Sequence, residues 1–406
     1  MRKTVLLLLF ALPGILGYSQ ELSKEQELNE RISSLESKVE KMNQLKFSGY
    51  IQTQWAWNQA DVDAGKQNDF SIRRGRLKAA YTNQYGEAVI QIDATEDGIK
   101  LKDAYLKIQT PTVQWVALRG GVFDRPFGYE ISYSSSRRES PERSRIFQTL
   151  FPKERDLGAE LIFKGPANTP LQNFTLNAGL FSGNGGQAKE TDSRKDFIGH
   201  LAYTKKLDNF GYGLGASLYS GGVRLAGGEN QKAYKLVNDA FIQDTNLKPG
   251  DYAKRQYYGF DGQMTVSSLL GMTSLRGEYL WGTQPGVAGD SKSPTGAITS
   301  DIYVRRFNGY YLQLVQDIGA SKYSVVAKYD AYDPNAKVSE NECQTQGDIA
   351  YNTFGIGCLF RANQNLRVMC YYEINSNEKV NNQEVDTKYN KNIKDNVFTL
   401  RLQYKF

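Results

Sequence analysis

Two periodicities share this chain, and the boundary between them falls near Phe47. Upstream, in the charge-dense stretch from Glu21 to Lys46, Leu28, Ile32, Leu35, Val39 and Met42 recur at alternating steps of four and three. That is a heptad seam, the pattern of a coiled-coil helix. Downstream, apolar and polar residues alternate in runs of about ten, separated by clusters of turn-forming residues, as tilted strands require. The runs centre on 47–57, 70–82, 85–95, 98–109, 113–122, 157–164, 172–182, 195–206, 210–220, 255–266, 272–283, 303–317, 321–333, 350–361, 365–376 and 394–406. About sixteen strands are predicted, an even number.

Within a run one parity is apolar and the other polar. Leu366, Val368, Cys370, Tyr372 and Ile374 alternate with Arg367, Met369, Tyr371 and Glu373; Phe398, Leu400, Leu402, Tyr404 and Phe406 alternate with Thr399, Arg401, Gln403 and Lys405. A soluble barrel would turn the apolar parity inward, whereas a barrel in lipid turns it outward and lines its interior with polar groups. Periodicity alone does not choose. The connections do, because short links such as 83–84, 110–112, 207–209 and 362–364 alternate with long ones such as 58–69, 221–254, 284–302, 334–349 and 377–393. Short turns on one side and long loops on the other are the habit of outer-membrane barrels.

The N-terminus agrees. Arg2 and Lys3 precede an apolar run from Val5 to Leu12 and the small-residue stretch Gly17-Tyr18-Ser19, the order of a secretory signal ending near Ser19. The expected organisation is a signal peptide at 1–19, a periplasmic coiled-coil segment at 20–46 and a barrel over 47–406. The fold class is therefore all-β: a sixteen-stranded antiparallel transmembrane β-barrel with an N-terminal periplasmic coiled-coil helix, located in the bacterial outer membrane. A seam of about three heptads is too short to stand alone in water, so it predicts a homo-oligomer. β-Branched Ile32 and Val39 against Leu28 and Leu35 favour two strands. The alternative is a single amphipathic helix lying on the barrel mouth.

Composition narrows the function. A mean hydropathy of -0.54 suits a barrel as well as a soluble protein, since only alternate residues meet lipid. The net charge of +6 falls to +4 once Arg2 and Lys3 are removed, too mild a balance to point to nucleic acid. His200 is the only histidine, which removes most Ser-His, Cys-His and multi-His metal chemistry. No enzyme and no cofactor is expected. Cys343, Cys358 and Cys370 lack metal-site spacing, and the last two fall on the lipid parity.

What remains is a channel. Arg74, Arg76 and Lys78 share one face of the second run, and Arg119, Arg367 and Arg401 share the polar parity of theirs. The third long connection, 123–156, carries Arg125, Arg137, Arg138, Arg143, Arg145, Lys153 and Arg155 against Asp124, Glu130, Glu139, Glu142 and Glu154. Cations at a narrowing favour anions. Asp93, Asp103, Glu160, Asp261, Glu278, Asp330 and Glu373 also lie on polar parities, so an anion track and an internally paired, mixed-charge wall both fit.

The segments Phe70-Ser71-Ile72-Arg73-Arg74-Gly75-Arg76-Leu77, Leu101-Lys102-Asp103-Ala104-Tyr105, the run from Leu118 to Glu130, and Pro152 to Gly158 resemble the phosphate-selective porin O and P family. The resemblance implies a trimer of sixteen-stranded channels whose third loop enters the lumen, passing small hydrophilic solutes by diffusion, with a tendency toward anions. It departs from the phosphate-specific pattern of clustered lysines, since Lys153 is the only lysine in 123–156. A structural tether and an outer-membrane hydrolase are the competing readings; the latter has only His200 for a base.

Overall fold

A strand in lipid must pair both backbone edges, which an alternating chain achieves only by closing into a ring. The computed structural model describes residues 28–29, 31–34, 44–61, 65–186, 188–382 and 385–406, and it shows that closure. The strands are β1 (Leu45–Asn58), β2 (Asn68–Asn83), β3 (Gly86–Thr95), β4 (Gly98–Gln109), β5 (Val116–Asp124), β6 (Arg155–Lys164), β7 (Phe174–Phe181), β8 (Asp196–Lys206), β9 (Phe210–Arg224), β10 (Ala233–Val237), β11 (Ala240–Gln243), β12 (Tyr252–Ser268), β13 (Gly271–Gly286), β14 (Ile302–Asp317), β15 (Tyr323–Asp333), β16 (Tyr351–Arg361), β17 (Leu366–Asn377) and β18 (Val397–Lys405). Each pairs antiparallel with its neighbour, β9 passes directly to β12, and β1 pairs with both β2 and β18. The result is a closed barrel of 16 strands.

The two strands left out of the ring, β10 and β11, were not expected within 221–254. They form a hairpin in that outer loop, and β10 runs parallel to the outer end of β14, with Tyr234 opposite Tyr303. Runs this short carry too little alternation to separate them from a loop. The outer loops pack into small cores of their own, one of Val338, Cys343, Ile349, Val380, Val385 and Tyr389.

Orientation is fixed by exposure. Leu400, Leu402 and Tyr404 are 43%, 47% and 53% exposed, while Arg401 and Gln403 between them are 3% and 5% exposed. Apolar residues face out and polar ones face in. Ring pairs gather near both ends of the wall, Trp115 with Phe163 and Tyr323 with Phe360 at the short-turn end, Trp55 with Phe398 and Tyr310 with Tyr329 toward the other. Amphipathic rings suit the two lipid–water boundaries. The chain end closes the seam, because Phe406 and Gly49 exchange backbone hydrogen bonds of 2.9 and 3.0 Å. A Cβ on Gly49 would sit 2.4 Å from the Arg76 carbonyl oxygen and 2.7 Å from the Phe406 ring, so this close approach needs glycine.

Cys358 and Cys370 lie directly opposite one another on β16 and β17 as exposed, free thiols. Of the expected heptad seam, Leu28 and Ile32 are helical and exposed; Leu35, Val39 and Met42 lie outside the described residues, as do residues 1–19, where a leader is expected.

The expectation of an interior lined with polar groups holds only in part. Inward positions on β9 and β12 to β15 include buried Tyr219, Tyr257, Leu280, Phe307, Tyr311 and Tyr332, which pack with Phe127, Ile131, Ile146, Phe147, Leu150 and Phe151 of the third loop in one apolar cluster. Alternation persists there, yet the inward residues are aromatic because a loop covers them.

Candidate functional site

The third loop leaves β5 at Asp124 and returns at Arg155. Its backbone is tied across the barrel interior, since peptide groups buried away from water need partners. On one side, Glu278 of β13 accepts from the Tyr129 and Glu130 amides at 2.9 and 2.6 Å and from the Tyr311 hydroxyl at 2.8 Å. Gly128 has a φ of +63°, and a Cβ there would strike the Glu278 carboxylate at 2.1 Å. Only glycine lets the loop come this close.

On the other side, Gln52 of β1 and Gln403 of β18 each donate to backbone oxygens of the loop, Ser135 and Ser136, at 3.1 Å. Arg401 donates to the Pro141 carbonyl at 2.7 Å. Arg276 pairs with Glu139 at 2.8 Å and Lys328 with Glu130 at 2.6 Å. The short helix Arg145–Leu150 turns Ile146, Phe147 and Leu150 into the aromatic cluster. The loop thus fills the interior against β7 to β9 and β12 to β15, and the open space lies against β1 to β4 and β15 to β18.

That space is three adjoining cavities that share Arg73. One of about 420 Å³ lies between Pro141, Arg143, Arg145 and Gln148 of the loop and Asp330, Thr353, Glu373 and Arg401 of the wall. A second, of about 270 Å³, is bounded by Arg73, Arg74, Arg76, Lys102, Arg143 and Lys153, with Asp93, Glu142 and Glu154 as its carboxylates. The third, about 260 Å³, runs along Asp93, Glu96, Asp97, Lys100 and Lys102.

Two β-bulges build this cationic wall. Gln52 pairs with Arg74 and Thr53 with Ile72, so Arg73 is an extra residue on β2; Gln91 pairs with Asp103 and Ile92 with Leu101, so Lys102 is extra on β4. A bulge sends two successive side chains to one face. Arg73 and Arg74 both reach Glu142 of the loop, at 2.7 and 2.9 Å, and Lys102 lines the cavities beside Asp103. Arg73, Lys102 and Lys292, which borders the larger cavity, were not among the expected lining residues. The sequence does carry the signal for the first two. The outward parity switches from Phe70 and Ile72 to Leu77, Ala79 and Tyr81, and from Ile99 and Leu101 to Ala104, Leu106 and Ile108.

The expected site residues separate by role. Arg76 and Arg143 line the 270 Å³ cavity. Arg76 lies 3.4 Å from Asp93, and Arg143 lies 3.6 Å from Glu154. Arg145 borders the larger cavity, its guanidinium 4.1 Å from the centre of the Tyr351 ring. Arg74 and Arg401 line cavities too, but they are buried and committed to Glu142. Arg125 is a buried brace to Asp156 at 3.2 Å. Arg367 donates to the Arg137 carbonyl and to Gln403 at 3.2 and 3.1 Å. Arg119 pairs with Glu160 at 2.6 Å and lies over the Phe123 ring. Lys78 is half-buried on the inward face of β2, Arg137 is exposed, and Arg138 is buried.

Burial pushes the Glu142 carboxyl up, but Arg74, Arg73 and Arg401 outweigh it and hold the group well below the usual carboxylate range. Burial likewise opposes ionisation of Glu154, and Arg143, Arg155 and Lys102 overcome it. Both loop carboxylates are charged at neutral pH. No metal-binding group of His, Cys, Asp and Glu occurs among the described residues.

The family model for phosphate-selective porin O and P matches residues 45–406, the entire barrel and nearly the whole chain. The chain belongs to that family. This porin is an outer-membrane channel for small solutes. Its fold is similar to that of solved outer-membrane proteins: the loop L8 deletion mutant of OmpT of Vibrio cholerae (TM-score 0.53, 10% identity, 89% of this chain and 99% of that one), Salmonella typhi OmpF in complex with daunomycin (0.53, 11%, 89% and 97%), and the channel DcaP of Acinetobacter baumannii (0.53, 11%, 89% and 97%). No individually curated protein matches the sequence.

Proposed function

We propose that this porin passes small hydrophilic anions by passive diffusion between its third loop and the β2 to β4 wall. One observation carries the reading: the 270 Å³ cavity is bounded by six cationic side chains and three carboxylates. An excess of fixed positive charge in a narrow, low-dielectric passage raises the local concentration of anions. The arrangement is not a chelating site. Arg74 and Arg401 are braced to the loop and its Glu142, and the carboxylates interleave with the cations, so a modest preference among small anions follows rather than a phosphate trap.

Planar-bilayer recordings across a KCl gradient test this directly. The reversal potential should report anion preference, and inorganic phosphate at millimolar concentration should leave chloride current nearly unchanged. Cation preference, or no open conductance, would overturn the reading. Tight block of chloride current by phosphate would favour the family's phosphate-specific mode instead.

Export by the leader at 1–19 and a homotrimer steadied by a periplasmic coil over 20–46 complete the proposal. The seam of Leu28, Ile32, Leu35, Val39 and Met42 supports an oligomer, and three copies in place of the two its β-branched positions favour rest on the family resemblance and on the trimer form in which Vibrio cholerae OmpT, a protein of similar fold, has been solved. Deleting residues 21–42 should loosen the oligomer in native mass spectrometry while leaving single-channel conductance unchanged.

A further inference from the structure

The lipid-facing wall is not smooth. On the outer face of β9 and β12 to β14 lies an apolar groove of about 630 Å³, rimmed by Phe210, Tyr212, Leu214, Met264, Leu275 and Leu312. Gly262 and Gly277, directly opposite one another on β12 and β13, form its floor. Both hold outward positions, in line with exposed Phe260, Met264 and Tyr279, so each leaves a gap where its strand neighbours present a large side chain. Crowding accounts for one of the two. A Cβ on Gly277 would come 3.0 Å from the Tyr311 carbonyl oxygen, whereas a Cβ on Gly262 would meet only Leu214, at 3.7 Å. Gly262 has no positive φ either, so the fold would accept a side chain there, and its absence keeps the groove open.

The groove has about the depth of one leaflet. It begins at Phe210 and Tyr212, whose rings lie 5.7 Å apart beside the 207–209 turn. It ends at the two glycines, four residues short of the stacked Tyr258 and Trp281 toward the outer boundary. The short-turn end of such a barrel faces the periplasm. At that end Lys205 of β8, outward and exposed, stands opposite Tyr212, and no carboxylate among the described residues lies within ion-pair distance of it. A lysine at a lipid boundary lays its stem along the apolar wall and carries its ammonium to the headgroups. We infer that the groove holds one acyl chain of a phospholipid of the periplasmic leaflet, with the lipid's phosphate on Lys205. A bulky side chain of a second copy would also fill the space. Seating another barrel there, however, would draw the Lys205 ammonium out of water with nothing to answer its charge, and a phosphate diester supplies that answer. The site lies outside the wall and is independent of the solute path.

Native mass spectrometry of the full porin in mild detergent tests this, with phosphatidylglycerol added as the probe. Each copy should retain one phosphatidylglycerol under conditions that strip other lipid, and neither diacylglycerol, which lacks the phosphate, nor inorganic phosphate should displace it. Gly262→Leu fills the groove from its floor and should cut retention several-fold. Lys205→Gln, at an exposed position, should weaken retention toward that of diacylglycerol. Both variants should keep the wild-type reversal potential in a salt gradient, which separates this site from the channel's selectivity. Equal retention by the wild type and Gly262→Leu would overturn the inference, as would a Gly262→Leu porin that loses its oligomer and keeps its lipid, since a second copy would then be the occupant. Should Gly262→Leu fail to assemble, Lys205→Gln still decides, because unchanged retention in that variant removes the phosphate from the site.

Discussion

Single side chains divide between those that hold the loop and those that line the cavities proposed as the solute path, and the two groups predict different failures. Lys102 borders two cavities and has no carboxylate within ion-pair distance among the described residues. A unit charge about 4 Å from a passing ion contributes roughly 1 kcal/mol even at the dielectric of water, about a fivefold change in local concentration. Lys102→Met should therefore lower the anion-to-cation permeability ratio a few-fold at low salt without disturbing assembly, read from reversal potentials. Glu142 belongs to the other group. Its depressed pKa means that the stability it lends the anchor is present above the ordinary carboxylate range and is lost as pH falls through the lowered value. Removing one partner of such a cluster costs on the order of 3 kcal/mol, so Glu142→Gln should speed hydrogen exchange of the 135–142 amides roughly a hundredfold at pH 7. Once exchange is corrected for its intrinsic pH dependence, acidification should lower the protection factors of the wild type and change those of the variant much less; equal acid sensitivity would remove Glu142 from this role.

At the scale of elements, the two bulges make a sharper claim, because an alternating strand tolerates the loss of one residue only where one is surplus. Deleting Arg73 restores regular pairing of β1 with β2 and keeps Leu77, Ala79 and Tyr81 toward lipid. Deleting Lys78 instead shifts the residues on one side of the gap to the wrong face. The first variant should assemble as a heat-modifiable barrel and the second should not, as judged by electrophoretic mobility before and after heating. The same parity explains what was legible. All sixteen membrane strands could be read because lipid enforces outward grease along the wall, and Leu400, Leu402 and Tyr404 obey it. The inward parity is under no such rule. It faces a cavity at Arg76 and lies under a cover at Tyr257 and Phe307. A loop more than a hundred residues away in sequence makes that difference, and no local pattern records it. The small β10–β11 hairpin escaped for a related reason, since its pairing with β14 is tertiary.

Across the whole molecule, the aromatic cluster and the cationic wall are consequences of one asymmetry. The apolar face of the third loop seals against β7 to β9 and β12 to β15, which leaves water only the side where both bulges double the inward charge. On the proposed reading, selectivity comes from a diffuse field over a wet passage, and such a field has a known range. Mobile ions screen it within about 10 Å at 0.1 M salt and about 3 Å at 1 M. The anion-to-cation permeability ratio should accordingly fall toward unity as KCl is raised from 0.1 to 1 M at a fixed gradient. A dehydrated binding site would behave differently, because buried ion contacts are screened little, and its preference would survive high salt with a conductance that saturates. A ratio that holds constant over this range would mean that the solute is gripped rather than steered, and that the third loop presents a true site in place of a charged corridor.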